Sequence, residues 1–166
     1  MALTNNQITT LRAAVFANPT AAAALAAGNV TGVQNWCNAN SGSKRWLPAA
    51  DPLAVEEAPS YTSYDSMTQG KRDSWVVFLR NARDFGRPKV RNWVADIWGT
   101  ATGGSNSEAI LQAGTANATN AQIALGGAAE TLGSVTAFDT SFEGEVDTTD
   151  ATRLVYKDNG DIWTQG

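Results

Sequence analysis

With 166 residues, of which 43% are apolar, the chain has the length of one domain and enough apolar mass for a core. It has no histidine and a single cysteine, which excludes Ser-His-Asp and Cys-His catalysis, histidine-containing metal sites, an internal disulfide and the usual zinc sites. The net charge of −4 argues against a general nucleic-acid binder but leaves room for a local basic face.

Alanine is abundant, Gly, Ser, Thr and Asn fill much of the remainder, and the six Trp residues must carry much of the packing. This composition points to a modest core with long polar connections, of the kind that an assembly completes. The opening, MALTNNQITTLRAAVF, lacks a basic start followed by an apolar run, and no stretch is long and apolar enough to span a bilayer. Cytoplasmic synthesis is therefore expected, and the sequons at Asn29 and Asn117 then carry no meaning.

Thr4 and Gln7 have the spacing of a helix-start capping box, and Ile8, Leu11 and Val15 follow at helical spacing beside Phe16. Pro19 disfavours helical geometry at Asn18, so this helix stops there, and Asn18-Pro19 starts the next, over Thr20 to Ala27. Gly28 ends it. A third short helix fits Asn29 to Asn38 and buries Val30, Val33, Trp36 and Cys37, the last as a small apolar residue.

From Ser41 to Ser60 the periodicity dissolves, and Pro48, Pro52 and Pro59 interrupt any helix. This stretch reads as an extended arm lying over the surface or over a neighbouring subunit, anchored by Trp46 and Leu47. Helix is expected again from Ser63 or Asp65 to about Arg83, with an apolar stripe of Trp75, Phe78, Leu79 and Ala82. Gly70 falls inside it, where another backbone would pass close. Phe85-Gly86 is a turn, Pro88 a first helical position, and Val90, Trp93, Val94, Ile97 and Trp98 a second stripe, closed by Gly99 and Gly103-Gly104. The two helices make an antiparallel hairpin.

Ser105 to Gly114 and Ala116 to Leu125 read as weaker, alanine-rich helices, the second ended by Gly126-Gly127. Val135 to Phe138, Ser141 to Val146 and Arg153 to Tyr156 have strand-like composition, and Asn159-Gly160 is a hairpin turn signal with Ile162 and Trp163 beyond it. Alternatively, Asp147 to Asp150 cap a helical turn over Ala151 to Val155; the residues leave both readings open.

Chemistry-bearing patterns are few. Gly70-Lys71 lacks the rest of a phosphate-binding loop, and Gly103-Gly104 reads as a loop and helix start rather than an anion site. Glu143, Glu145, Asp147 and Asp150, like Asp158 and Asp161, do not match a calcium loop. A hydrolase built on Glu143 and Glu145 has no supporting constellation. If Glu143 and Glu145 lie on a strand they share a face, and with Asp147 and Asp150 they form an acidic face suited to a basic partner. No cofactor, metal or enzymatic activity is expected.

The basic face is the segment Gln69 to Trp98, which holds seven of the twelve basic residues: Lys71, Arg72, Arg80, Arg83, Arg87, Lys89 and Arg91. Trp75, Phe78, Phe85, Trp93 and Trp98 interleave with them. From Asp96 onward ten carboxylates face only Arg153 and Lys157. The bland reading is a solvated face whose basic stems cover aromatic rings. Two functional readings stand beside it. One is contact with nucleic-acid phosphates; the other is contact between subunits, in which the basic face of one copy meets the acidic tail of the next and closes a ring.

The opening LTNNQITTLRAAVFANPTAAAALAAGNVTGVQNWCN, the segments QGKRDSWVVFL and RPKVRNWVADIWG, and the acidic FEGEV near the end resemble head-to-tail adaptor (connector, neck) proteins of tailed bacteriophages. The parallel is best at Gly28-Asn29, Gln69-Gly70, Trp75, Arg91, Ile97 and Phe142-Glu143-Gly144; Lys44 to Tyr61 and the terminal KDNGDIWTQG depart from it. The resemblance implies a mainly helical homo-oligomer, typically a ring of twelve beneath the portal protein. Such a ring extends the channel for packaged DNA and docks the next neck or tail protein, so its place is the virion neck.

The reading is thus a mainly α subunit in one adaptor domain over 1–166: short helices over 1–40, an extended arm over 41–62, a helical hairpin with alanine-rich helices over 63–126, and an acidic C-terminal β-hairpin or extended tail over 127–166. A nucleic-acid-binding protein using the same basic hairpin, residues 71–91, is the alternative.

Overall fold

The computed structural model describes residues 2–140 and 142–156. Among them are ten helices and a four-stranded sheet, so the architecture is α/β. This overturns the mainly α expectation of a helical bundle with a mid-chain arm and β structure only at the C-terminus. The terminal hairpin expected around Asn159-Gly160, with Ile162 and Trp163, lies outside the described residues, as do Ser141, Lys157, Asp158 and Asp161. No described helix is long and apolar enough to cross a membrane.

The N-terminal helices form where local chemistry places them. α1 (Asn5–Ala17) starts at a complete capping box: the Gln7 N–H donates to Thr4 Oγ1 and the Thr4 N–H to Gln7 Oε1. α2 (Pro19–Ala26) is capped by Asn18, whose Oδ1 accepts from the Thr20 and Ala21 N–H groups at 3.1 Å each. Gly28 follows at φ 67, a left-handed conformation that spares glycine the Cβ clash. α3 (Val30–Asn38) buries Val33 and Cys37.

The supposed arm is largely regular structure. β1 (Asn40–Trp46) alternates exposed and half-buried residues before ending on buried Trp46. α4 (Pro52–Glu57) begins with Asp51 as its cap and Pro52 in its first turn. The long helix expected from Ser63 or Asp65 to Arg83 is two: α5 (Tyr61–Asp65) and α6 (Gln69–Leu79). Gly70 therefore sits in a first turn with open space around it, not where a backbone passes close. α7 (Pro88–Trp98) begins at proline and stops at Gly99, φ 91, as the sequence pattern requires.

α8 (Asn106–Ala113) is capped by Ser105. The second alanine-rich helix divides into strand β2 (Thr115–Thr119) and the short α9 (Asn120–Ala124). A second capping box, Thr119 with Gln122, sets that junction. β3 (Gly126–Leu132) and β4 (Val135–Thr140) follow, joined by Gly133-Ser134. So short a connection joins antiparallel strands, and Gly133 supplies its positive φ of 63. The strand order is β2-β1-β4-β3, and β1 runs parallel to β4 with Lys44 opposite Ala137 and Arg45 opposite Phe138. β1 is thus an interior strand, not an arm. Phe142 to Val146 is no strand, and Arg153 to Val155 belong to α10 (Thr148–Val155), which Asp147 caps. The helical alternative holds there.

The chain divides into two compact units, one within 1–43, 118–127 and 140–166, the other spanning 44–117 and 128–139. In the first, α1, α2, α3, α9 and α10 enclose a core of Ile8, Leu11, Val15, Leu25, Val33, Cys37, Val146, Leu154 and Val155. In the second, α4, α6, α7 and α8 pack with the sheet residues Trp46, Val135 and Ala137 around Phe78, Phe85, Val94, Ile97 and Ile110. Burying one such aliphatic or aromatic side chain stabilises a fold by about 1.5–3 kcal/mol.

Candidate functional site

The second unit separates the seven basic residues into structural and surface groups. Arg91 is 5% exposed. Its guanidinium donates to the Phe85 carbonyl, ion-pairs with Glu130 and lies 4.8 Å from the Trp46 ring centroid. Arg83 closes the end of α6 by donating to the Phe78 and Val77 carbonyls at 2.6 and 2.7 Å, and it covers the Phe78 and Trp93 rings. Arg72 is half-buried, donates to the Asp65 carbonyl and lies 3.9 Å from that residue's carboxylate. Lys71, Arg80, Arg87 and Lys89 are exposed. Of these, Arg87 holds Asp84 at 2.9 Å, while Lys71, Arg80 and Lys89 make no side-chain hydrogen bond or ion pair to a described residue.

The acidic set is also divided. Asp150 is 1% exposed in the first unit, where it accepts from the Leu3 N–H at 3.0 Å and from Arg153 at 2.9 Å. Asp147 is spent as the cap of α10, its Oδ1 accepting from the Asp150 N–H at 2.8 Å. Glu143 and Glu145 are exposed and lie outside any strand. Trp46 is buried and Leu47 half-buried, both in the second unit's core rather than on an arm.

Sequence reasoning missed the surface made by α4, α5 and α6. The large apolar side chains left exposed among the described residues are Leu53, Tyr61, Val76 and Val77, and all four belong to these helices; Tyr61 is 80% exposed. A cleft of about 370 Å³ opens here, lined by Glu56, Glu57, Pro59, Tyr61, Tyr64, Trp75, Val76 and Leu79. The Tyr61 and Tyr64 rings stand 6.4 Å apart at its side. Its signal was present in the run WVVFL, Trp75 to Leu79, which makes α6 apolar around far more than the arc one core face needs.

Two titratable groups are strongly placed. Hydrogen bonds from the Ser134 hydroxyl and from the Gly104 and Ser134 N–H groups hold the Glu108 carboxyl below its ordinary range; they tie the start of α8 to the β3–β4 turn. Burial pushes the Cys37 thiol up to about 12, which makes it a packing residue, not a nucleophile. Among the described residues no group of three or more His, Cys, Asp or Glu side chains is arranged to hold a metal ion. No protein-family model, characterised protein or solved structure matches the chain.

Proposed function

We propose that this chain is a structural subunit of a tailed-bacteriophage neck, a head-to-tail adaptor that forms a ring beneath the portal protein, extends the channel for packaged DNA and docks the next neck or tail protein. The observation that carries the reading is the concentration of the exposed large apolar side chains on α4, α5 and α6. Exposed large apolar side chains gathered on neighbouring helices, beside exposed charge, are characteristic of a face that another protein covers. The sequence resemblance supplies the kind of assembly. The subunit acts by shape and not by chemistry.

Purified protein should form closed rings by light scattering and negative-stain microscopy, and those rings should bind portal protein. A chain that stays monomeric at every concentration and ignores portal overturns the reading. A second reading, nucleic-acid binding, draws on the four basic side chains of residues 71–91 that remain exposed, Lys71, Arg80, Arg87 and Lys89. It requires a monomer that binds short DNA with affinity falling steeply as salt rises.

A further inference from the structure

We infer that the α4–α6 cleft is a receptor for a basic side chain, and that its occupant is the Arg80–Lys89 segment of a second copy of this chain. This rests on the adaptor reading and names the contact through which its ring would close.

The cleft has the chemistry of a cation site. Tyr61, Tyr64 and Trp75 supply aromatic surface, and Glu56 and Glu57 add carboxylates at the same opening. A guanidinium or ammonium on an aliphatic stem satisfies both: the stem covers the rings and the head meets the carboxylates. At about 370 Å³ the cleft has room for such a side chain. Neither Glu56 nor Glu57 makes an ion pair or side-chain hydrogen bond to a described residue, so among these residues the negative charge is uncommitted.

The complementary charge is in the same unit. Arg80 and Lys89 are exposed and make no side-chain hydrogen bond or ion pair to a described residue, and Arg87, also exposed, pairs among the described residues with Asp84. Ala82 and Pro88, also exposed, give the segment small apolar surface. Of the acidic face first suggested by the sequence, two of the four carboxylates are engaged internally: Asp150 is buried on Leu3 and Arg153, and Asp147 caps α10. Cleft and basic segment are different patches of one molecule. Paired head-to-tail, cleft on segment from copy to copy, they give the geometry that closes rings.

The test is a charge swap. Glu56→Lys/Glu57→Lys places cations at the C-terminal end of α4, and Arg87→Glu/Lys89→Glu places anions at the start of α7; both suit the helix dipole, so neither variant is expected to unfold, which melting curves check. Each variant alone should raise the protein concentration needed for assembly by about a hundredfold or more. Mixing the two, or combining all four substitutions in one chain, should restore assembly. If the native chain assembles and either variant assembles equally well, or if the mixture fails to recover, the cleft is not the contact and the inference falls while the adaptor reading stands. If the native chain does not assemble at all, both fall. A Tyr61→Ser variant gives a second reading: assembly at the native concentration would overturn the cleft's part in it.

Discussion

Gly114 faces the Phe85 ring so closely that a β-carbon at position 114 would overlap it. The two residues are also linked through Leu47, whose N–H donates to the Gly114 carbonyl at 2.9 Å and whose carbonyl accepts from the Phe85 N–H at 2.8 Å. The end of α8, the residue after β1 and the turn before α7 thus share one packed point.

Gly114→Ala should consequently destabilise the second unit by about 1–3 kcal/mol, the usual range for overfilling a packed site. Phe85→Leu in the same chain should recover part of the loss by vacating the space. Chemical denaturation of the single and double variants measures both effects.

Arg91 and Lys89 are two residues apart and should behave oppositely. Arg91→Met removes a buried guanidinium and leaves the Phe85 carbonyl and Glu130 without it, a loss of about 2–4 kcal/mol. Lys89 is exposed, so Lys89→Met should change stability by no more than about 0.5 kcal/mol. A common charge change with such different outcomes would show that charge itself does not set the stability of this segment.

Asp150→Ala should release the N-terminal segment. The carboxylate accepts from the Leu3 N–H at 3.0 and 3.2 Å, and Arg153, which it orients, donates to the Leu3 carbonyl at 2.6 Å and to Asn5 at 2.9 Å. The loss should be about 2–3 kcal/mol, with faster hydrogen exchange at the Leu3 amide than at amides in the middle of α3.

Stability should fall at both ends of the pH scale through different residues. The Glu108 carboxyl is held below its ordinary 4.5, so as pH drops through that value the unfolded chain takes up a proton before the folded one does. Its contribution is complete above that range and is lost as pH falls through the folded value; Glu108→Gln should flatten the acid side of the curve. Cys37 keeps its proton in the folded state to about 12 against an ordinary 9.0, so between these values the unfolded chain is favoured by ionising. Stability should decline as pH rises above 9.0, and Cys37→Ala should remove that decline. Native protein should also resist thiol alkylation near neutral pH.

Where the controlling groups lie within a few residues of one another, the sequence was legible. Thr4 with Gln7, Asn18-Pro19, Pro88 and Gly99 mark the bounds of α1, α2 and α7, because caps and prolines act over a single helical turn. The same local logic could have divided 116–125 at Thr119, whose capping box with Gln122 excludes a helix running through it. It could also have flagged α6, where Trp75 to Leu79 offers more apolar surface than one core face consumes.

The sequence by itself determined where α1, α2 and α7 begin, that Cys37 is packing material, and that the cations gather between residues 71 and 91. Only the tertiary structure decided that Asn40 to Trp46 is an interior strand, because its partner β4 is remote in sequence and β pairing depends on that neighbour more than on intrinsic propensity. It also decided that Arg91 and Asp150 are buried while Glu56, Glu57, Arg80 and Lys89 remain on the surface. A charged side chain is written identically in a sequence whether it meets water or a carbonyl, and the difference lies in what folding brings beside it.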